Sequence, residues 1–405
     1  MTKINLSARI LFYGALLSTL IGGISFIFIY LESTISHYLW ASLLRDTPLK
    51  PLFILGFTLL GGLIVGSLRL KWGNYPQTAH DTIHQLKEHQ TVDYSPAFKS
   101  LTVALVILIF GAGVGPEAAL LGAIVMLSVW QADKMRYLVA NHPELDSLPF
   151  SKRLSRMLHP TRYLLRYKQE NRHPKLAPIK KYIYGFFIFN GLVAFFILMK
   201  LTKQPSFISK MGPTHWQAKE LLLFIPLLLL GALAGKGYRS FEIKASQWFN
   251  FWIDQPIKKA LLGSLAIFTI GLVTPSLLFS GQTSLGDVPN DYQKFSLLIL
   301  VTIVLLKLLF LQICLHTGWI GGDIFPIVYS AISLGFGLSK IFPSFDTTFI
   351  VAVVATSMAV TILKSPIGVA IFIALFFPIE VLPVIVMTAL AIKVIYAFST
   401  KRIAY

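Results

Sequence analysis

Gly111-Ala112-Gly113-Val114-Gly115-Pro116-Glu117-Ala118-Ala119 cuts through the apolar run Leu101–Trp130. Alternate glycines permit left-handed backbone and let another segment approach closely. Pro116 is preorganised for the first helical position, where a missing N–H loses nothing. Glu117 then falls in the first turn, where the helix dipole favours negative charge. A helix that begins inside an apolar run also leaves its first N–H groups without partners. A second turn of this kind follows in the other half: Gly318-Trp319-Ile320-Gly321-Gly322-Asp323-Ile324-Phe325-Pro326. Carboxylates are expensive at membrane depth and mark pathways for ions or protons. Two broken helices therefore predict a buried anion site near the bilayer midplane.

The composition says what surrounds these turns. Of 405 residues, 55% are hydrophobic and 13% charged, with a mean hydropathy of +0.68. Soluble domains carry roughly 25% charged residues, so the chain reads as an integral membrane protein. Helices are required because backbone groups in lipid must be satisfied within the segment. The runs Ile10–Tyr30, Pro51–Leu70, Tyr182–Met199, Leu221–Ala234 and Phe295–Leu315 approach or reach the ~20 residues that span hydrocarbon. Leu101–Trp130, Ala260–Phe279 and Phe349–Leu363 extend the count toward about a dozen apolar helices.

A net charge of +18 raises the question of nucleic acid. Its distribution excludes that reading, because Lys and Arg cluster between the apolar runs. From Gln131 to Lys181 there are twelve Lys or Arg and four Asp or Glu. Positive-inside sorting puts this segment in the cytoplasm, together with an N-terminus bearing Lys3 and Arg9. Anionic headgroups lie within its reach. The expected location is the cell membrane, crossed several times. The first apolar segment lacks a small-residue cleavage site and reads as a retained helix. Cys314 is the single cysteine and reads as a small core hydrophobe.

The chain divides into apolar halves, about 1–205 and 215–400, each with one glycine-rich interruption. They are expected to form one transport domain over 1–405, an inverted-repeat bundle. No soluble regulatory domain is expected after the last helix. Arg69 and Lys71 close the second long helix on the cytoplasmic side. Gln77–Gln90 reads as a polar amphipathic piece, with His80 and His84 on one solvated face. Ser151–Leu158 is expected to lie on the membrane surface as a short amphipathic helix. A helix is expected from about Ile324 to Gly337. No His-Glu-x-x-His, Ser-x-x-Lys or carboxylate-rich cluster appears in the apolar segments. Neither an enzyme nor a metal or other cofactor is expected.

Three segments together resemble the CLC chloride channel and transporter family. Its first gate motif, Gly-x-Glu-Gly-Pro, is similar to Ala112-Gly113-Val114-Gly115-Pro116 at the Gly-Pro end. Its Gly-Gly-x-Phe-x-Pro turn resembles Gly321–Pro326, with Ile324 at the Phe position. The stretch Ala355-Thr-Ser-Met-Ala-Val-Thr-Ile-Leu-Lys-Ser-Pro-Ile-Gly368 resembles the family's small-residue helix ending in Arg-Ala-Pro-Leu-Thr-Gly, one residue shorter. These segments occur in family order and cover about half the chain. The resemblance implies an all-α bundle whose broken helices meet at a central anion site, and a homodimer with one pore per subunit.

Carried over by residue, the resemblance assigns chloride-coordinating amides to Gly113, Val114, Gly115, Asp323 and Ile324. Val114 falls at the family's gating glutamate, leaving Glu117, three residues later, as a substitute gate. Gly73-Asn74-Tyr75-Pro76 stands where the family has Gly-Ser-Gly-Ile-Pro. Gly73 takes the position of the ion-binding serine, and Asn74 offers an amide N–H₂ in its place. Tyr405 and Tyr396 are the candidates for the family's pore tyrosine, though both also fit interfacial aromatics. No acidic residue occurs from Asn171 to Lys219, so the family's internal proton acceptor is missing.

Several alternatives stay open at this point. Glu117 is either a proton-sensitive gate or a first-turn residue serving its own helix. Ionised Asp323 about 4 Å from chloride would cost about 4 kcal/mol at an effective dielectric near 20. Its carboxylate is therefore expected to turn aside and cap the helix that follows, or to be protonated when anions bind. The leading function is channel-like transport of a small anion, chloride first. Proton-coupled chloride or fluoride antiport is the second, and a non-transport membrane scaffold the third.

Overall fold

The computed structural model describes residues 3–167, 177–204, 208–249 and 255–403. Among them the structure is helical apart from one isolated bridge. The first helices are α1 Lys3–Leu43, α2 Lys50–Trp72, α3 Ala79–His89, α4 Ala97–Ile109, α5 Glu117–Ala140, α6 His142–Ser147, α7 Phe150–Leu158 and α8 Ala177–Leu201. There follow α9 Leu221–Trp248, α10 Pro256–Val273, α11 Gln282–Leu285, α12 Val288–Asp291 and α13 Leu297–His316. The last four are α14 Ile324–Ser339, α15 Thr347–Leu363, α16 Pro366–Ala374 and α17 Leu382–Ile403.

Among the described residues, eight helices are long and apolar enough to cross a membrane, and α4, α14 and α15 are shorter apolar helices. The expected run Leu101–Trp130 is split by its glycine turn into α4 and α5. At 1.5 Å per residue α4 rises only roughly 20 Å, short of the ~30 Å hydrocarbon core. A helix of that length that enters from one surface ends inside the bilayer.

Two compact units divide the chain. The first comprises Met1–Ile35, Tyr75–Leu105 and Ala118–Pro205. Its core gathers Ile21, Val92, Ala97, Met126 and Leu127, with a second cluster of Tyr13, Leu17, Leu138 and Leu145. Gly22 lets α1 meet α8 at backbone distance, since a Cβ there would come within 2.3 Å of the Gly191 carbonyl oxygen. Such small-residue contacts replace the hydrophobic effect between helices in lipid. Asn190 adds hydrogen bonds to Ala15 O and Ser18 Oγ, at 2.9 and 2.8 Å. Asp133 and Lys134, on α5, are buried. Asp133 accepts from Tyr94 and Arg136, while Lys134 Nζ donates to the His159 and Arg162 carbonyls.

The amphipathic helix expected over Ser151–Leu158 is α7. Its apolar row Phe150, Leu154 and Leu158 is exposed, while Met157 packs on the core beside Tyr13. Arg153 and Arg156 pair with Asp146 and Glu144. On α3, His84 lies 3.3 Å from Glu88 along an exposed face, as a solvated helix would.

The second unit comprises Ser36–Asn74, Val106–Glu117 and Ser206–Tyr405. Here α2 packs along α10, α9 along α15, and α14 between α13 and α15. Glycines make these approaches close: a Cβ at Gly62 would meet Ser264 Oγ at 2.2 Å, and one at Gly235 would meet Thr361 at 2.7 Å. Every residue of α15 from Thr348 to Ile362 is buried. Three long polar side chains in this interior donate to backbone carbonyls. Trp40 Nε1 donates to Ile109 O at 3.0 Å, and Trp319 Nε1 to Ala260 O at 2.9 Å. Lys307, fully buried on α13, donates to the carbonyls of Leu277 and Phe279.

Candidate functional site

The two glycine-rich turns meet within the second unit. Gly115 N–H donates to Gly322 O and Gly322 N–H donates to Gly115 O, both at 2.7 Å. This reciprocal pair is the one β-bridge among the described residues. Bare backbone on both sides leaves room for the side chains that pack against it. A Cβ at Gly321 would fall 2.4 Å from Val114 Cγ2, and one at Gly322 would fall 2.2 Å from Glu117 Cδ.

Glu117 begins α5, with Pro116 immediately before it, one residue from the expected helix start and within the usual spread of helix ends. Its side chain crosses to the other turn, where Oε1 accepts the Phe325 N–H at 3.2 Å. It therefore rests at the N-terminus of α14, where unpaired donors and the dipole attract an anion. The second oxygen, Oε2, is buried without a hydrogen-bond partner. Val114 is fully buried and packs beside Gly321.

A family profile described as "Voltage gated chloride channel" matches residues 179–396, over half of the chain. The chain belongs to the voltage gated chloride channel family. Three solved structures share its fold. A slow cyanobacterial Cl⁻/H⁺ antiporter aligns at TM-score 0.70 and 16% identity, covering 95% of this chain and 94% of that one. A CLC-type fluoride/proton antiporter aligns at TM-score 0.59 and 14% identity, covering 97% and 96%. For a eukaryotic CLC transporter the values are 0.54 and 12%, covering 94% and 71%. At these identities the likeness is one of fold. No curated protein sequence matches the chain.

CLC membership puts the five expected anion-binding amides in a new light, because two of them are committed elsewhere. Gly115 N–H is consumed by the bridge, and Gly113 N–H points at Cys314 Sγ, 3.3 Å away. Gly113 lies against the Phe310 ring, so that a Cβ there would come within 2.5 Å of it. Among the described residues, the amides of Val114, Asp323 and Ile324 have no backbone carbonyl partner. Those three remain as the candidate donors.

Asp323 corrects an expectation. It occupies the N-cap position of α14, yet its side chain makes no capping hydrogen bond. The reason is local: its backbone is in the α region, at φ −106° and ψ −12°. Asp caps a helix from extended backbone, which aims the carboxylate back at the second and third amides. Asp346, at φ −63° and ψ 117°, does cap α15, accepting the Phe349 N–H at 2.7 Å.

At the end of α2, Gly73 has φ +89°, a conformation that glycine adopts without strain. Gly73 and Asn74 are both exposed, and Arg69 Nη2 donates to Asn74 Oδ1 at 2.6 Å. Of the tyrosine candidates, Tyr396 donates to Thr361 O at 3.3 Å, and Tyr405 lies outside the described residues. Sequence reading did not find Cys314, Phe310 or Arg69 as neighbours of these turns. Each comes from a segment distant in sequence from the turn it touches, so spacing along the chain carries no signal of the contact.

Proposed function

We propose that the protein carries a small anion, chloride first, across the bilayer by a channel-like route closed at rest by Glu117. The observation that carries this reading is the Glu117 carboxylate seated on the Phe325 amide at 3.2 Å. A carboxylate there is held by the same donors that would hold a halide, so the two compete. Near a helix N-terminus the attraction is worth about 0.3–1 kcal/mol, up to ~2 when partly buried. Protonation weakens it and frees the amides. The route is lined by the Val114, Asp323 and Ile324 amides and opens past Gly73 and Asn74. Val114, at the family's gating position, supplies an apolar wall in place of the carboxylate.

Proton-coupled antiport is the second reading, and the unpartnered Oε2 of Glu117 supports it. That oxygen is a ready place for a transported proton. Two of the proteins similar in fold are described as chloride/proton and fluoride/proton antiporters. We take the working unit to be a homodimer in the cell membrane, each subunit with its own route. The experiment is flux from proteoliposomes holding a chloride gradient without a proton gradient. Chloride efflux without proton movement is the expected result. Uphill proton movement driven by chloride would replace the channel reading with antiport, and no anion flux would remove both.

A further inference from the structure

Helix α4 stops at Ile109. One more helical bond would bring the Gly113 N–H to the Ile109 carbonyl, four residues back. Both groups instead find partners outside the turn. Ile109 O accepts from Trp40 Nε1 at 3.0 Å, and the Gly113 N–H points at Cys314 Sγ, 3.3 Å away. Among the described residues, no backbone amide donates to Ile109 O across this break. At membrane depth a helix stays broken only where other groups satisfy the freed backbone, and here two side chains share that task.

The surroundings fix both partners. Trp40 lies in the last turn of α1 and is buried. Phe57 and Phe279 meet its indole edge-on, with centroids 5.8 and 5.9 Å away. The Phe279 carbonyl is in turn held by the buried Lys307. Gly111, at φ +85°, turns the chain out of the helix. It also makes room for the indole, since a Cβ there would come within 2.5 Å of Trp40 Cζ2. On the far side, Phe310 stands one turn before Cys314 on α13 and lies against Gly113. Residues 109–113 are thus gripped at one end from α1 and at the other from α13, immediately before the Gly115–Gly322 bridge.

We propose that Trp40 and Cys314 are positioning residues that clamp α4 unwound, each taking one end of the backbone bond that would continue the helix. The two grips are unequal, because an indole N–H is a full donor and a thiol sulfur a weak acceptor. Losing the indole N–H leaves Ile109 O bare, and the Gly113 N–H is the donor that helical geometry offers it. Rewinding α4 by that bond draws Gly115 from Gly322 and Glu117 from the Phe325 amide. The inference rests on the transport reading above only in taking Glu117 as the gate that the clamp keeps seated.

Trp40→Phe keeps an aromatic ring and removes the N–H. Hydrogen exchange of the purified, full-length protein is expected to quicken about tenfold or more at the Gly115 and Gly322 amides. Amides of α2 and α10, whose Phe57 and Gly271 pack on the same indole, should exchange as in the wild type. Cys314→Ala is expected to act like Trp40→Phe, and Cys314→Ser, which returns an acceptor, like the wild type. Unchanged exchange at the two glycines in Trp40→Phe and Cys314→Ala overturns the clamp. So does a Cys314→Ser that loosens as much as Cys314→Ala, or loosening spread equally through α2 and α10, which is loss of packing alone. Chloride efflux from vesicles at acid and neutral pH tells the clamp from the gate, and the ratio of the two rates should fall toward one in Trp40→Phe. A loosened bridge with the pH dependence intact sinks the gate alone. A pH dependence that Glu117→Gln removes, with a bridge indifferent to residues 40 and 314, sinks the clamp alone.

Discussion

Glu117 and Phe325 are 208 residues apart in the chain, yet the carboxylate of one accepts the backbone N–H of the other at 3.2 Å. A first-turn glutamate ordinarily serves its own helix. This one also serves the start of another helix, and does so from between two glycines whose missing side chains make the room.

Glu117→Gln keeps an oxygen for the Phe325 amide but removes the charge. Losing about 1–2 kcal/mol of competition should raise anion flux roughly fivefold to thirtyfold. Flux should also become the same at acid and neutral pH, because the group that titrates is gone. Proteoliposome efflux at two pH values checks this, and a pH dependence that survives the substitution rules out Glu117 as the gate.

Gly322→Ala places a methyl group 2.2 Å from Glu117 Cδ. The obstacle is the far end of a flexible side chain, so the protein should fold and the carboxylate should leave. Flux is expected to rise as it does for Glu117→Gln, and combining the two changes should add little, since they remove one contact. Full additivity in the double variant would show that the methyl group acts somewhere else.

Asp346→Ala should destabilise by about 1 kcal/mol or more, the usual cost of a lost N-cap. Asp346 also accepts from Thr214 Oγ1 at 3.0 Å and His215 N at 2.7 Å. Asp323→Ala has no capping bond to lose and should cost clearly less. Thermal unfolding in detergent ranks the two, and equal losses would mean that Asp323 caps α14 after all.

Ser151→Cys probes sidedness. Ser151 is exposed on α7, and Cys314 is buried, so background labelling is low. An impermeant thiol reagent added outside intact cells should leave the new cysteine unmodified, because twelve cationic residues between Gln131 and Lys181 oppose translocation. Rapid labelling from outside would invert the topology.

Much of this was legible in the residues themselves. Composition and run length gave the spans, and the glycine turn at 111–116 divides one run into α4 and α5 as its breakers require. The helix after Asp323 begins at Ile324, as expected. Two things were not legible. Asp before a helix reads as a cap whatever its backbone does, and the α-region angles of Asp323 are not written in its residue type. The other is the pairing of Gly115 with Gly322. Both sides are glycine, so neither carries a side chain whose chemistry could name its partner.

That pairing also fixes an order of events in biosynthesis. At about 5–20 residues per second, the ribosome needs roughly 10–40 s to travel from Gly115 to Gly322. Throughout that interval the Gly115 N–H and C=O lack their native partners, and each would cost several kcal/mol if left bare in lipid. The first turn must therefore wait where water or the insertion machinery can satisfy it. The bridge between the two turns is a late product of assembly, and a nascent chain that stops short of residue 322 cannot form it.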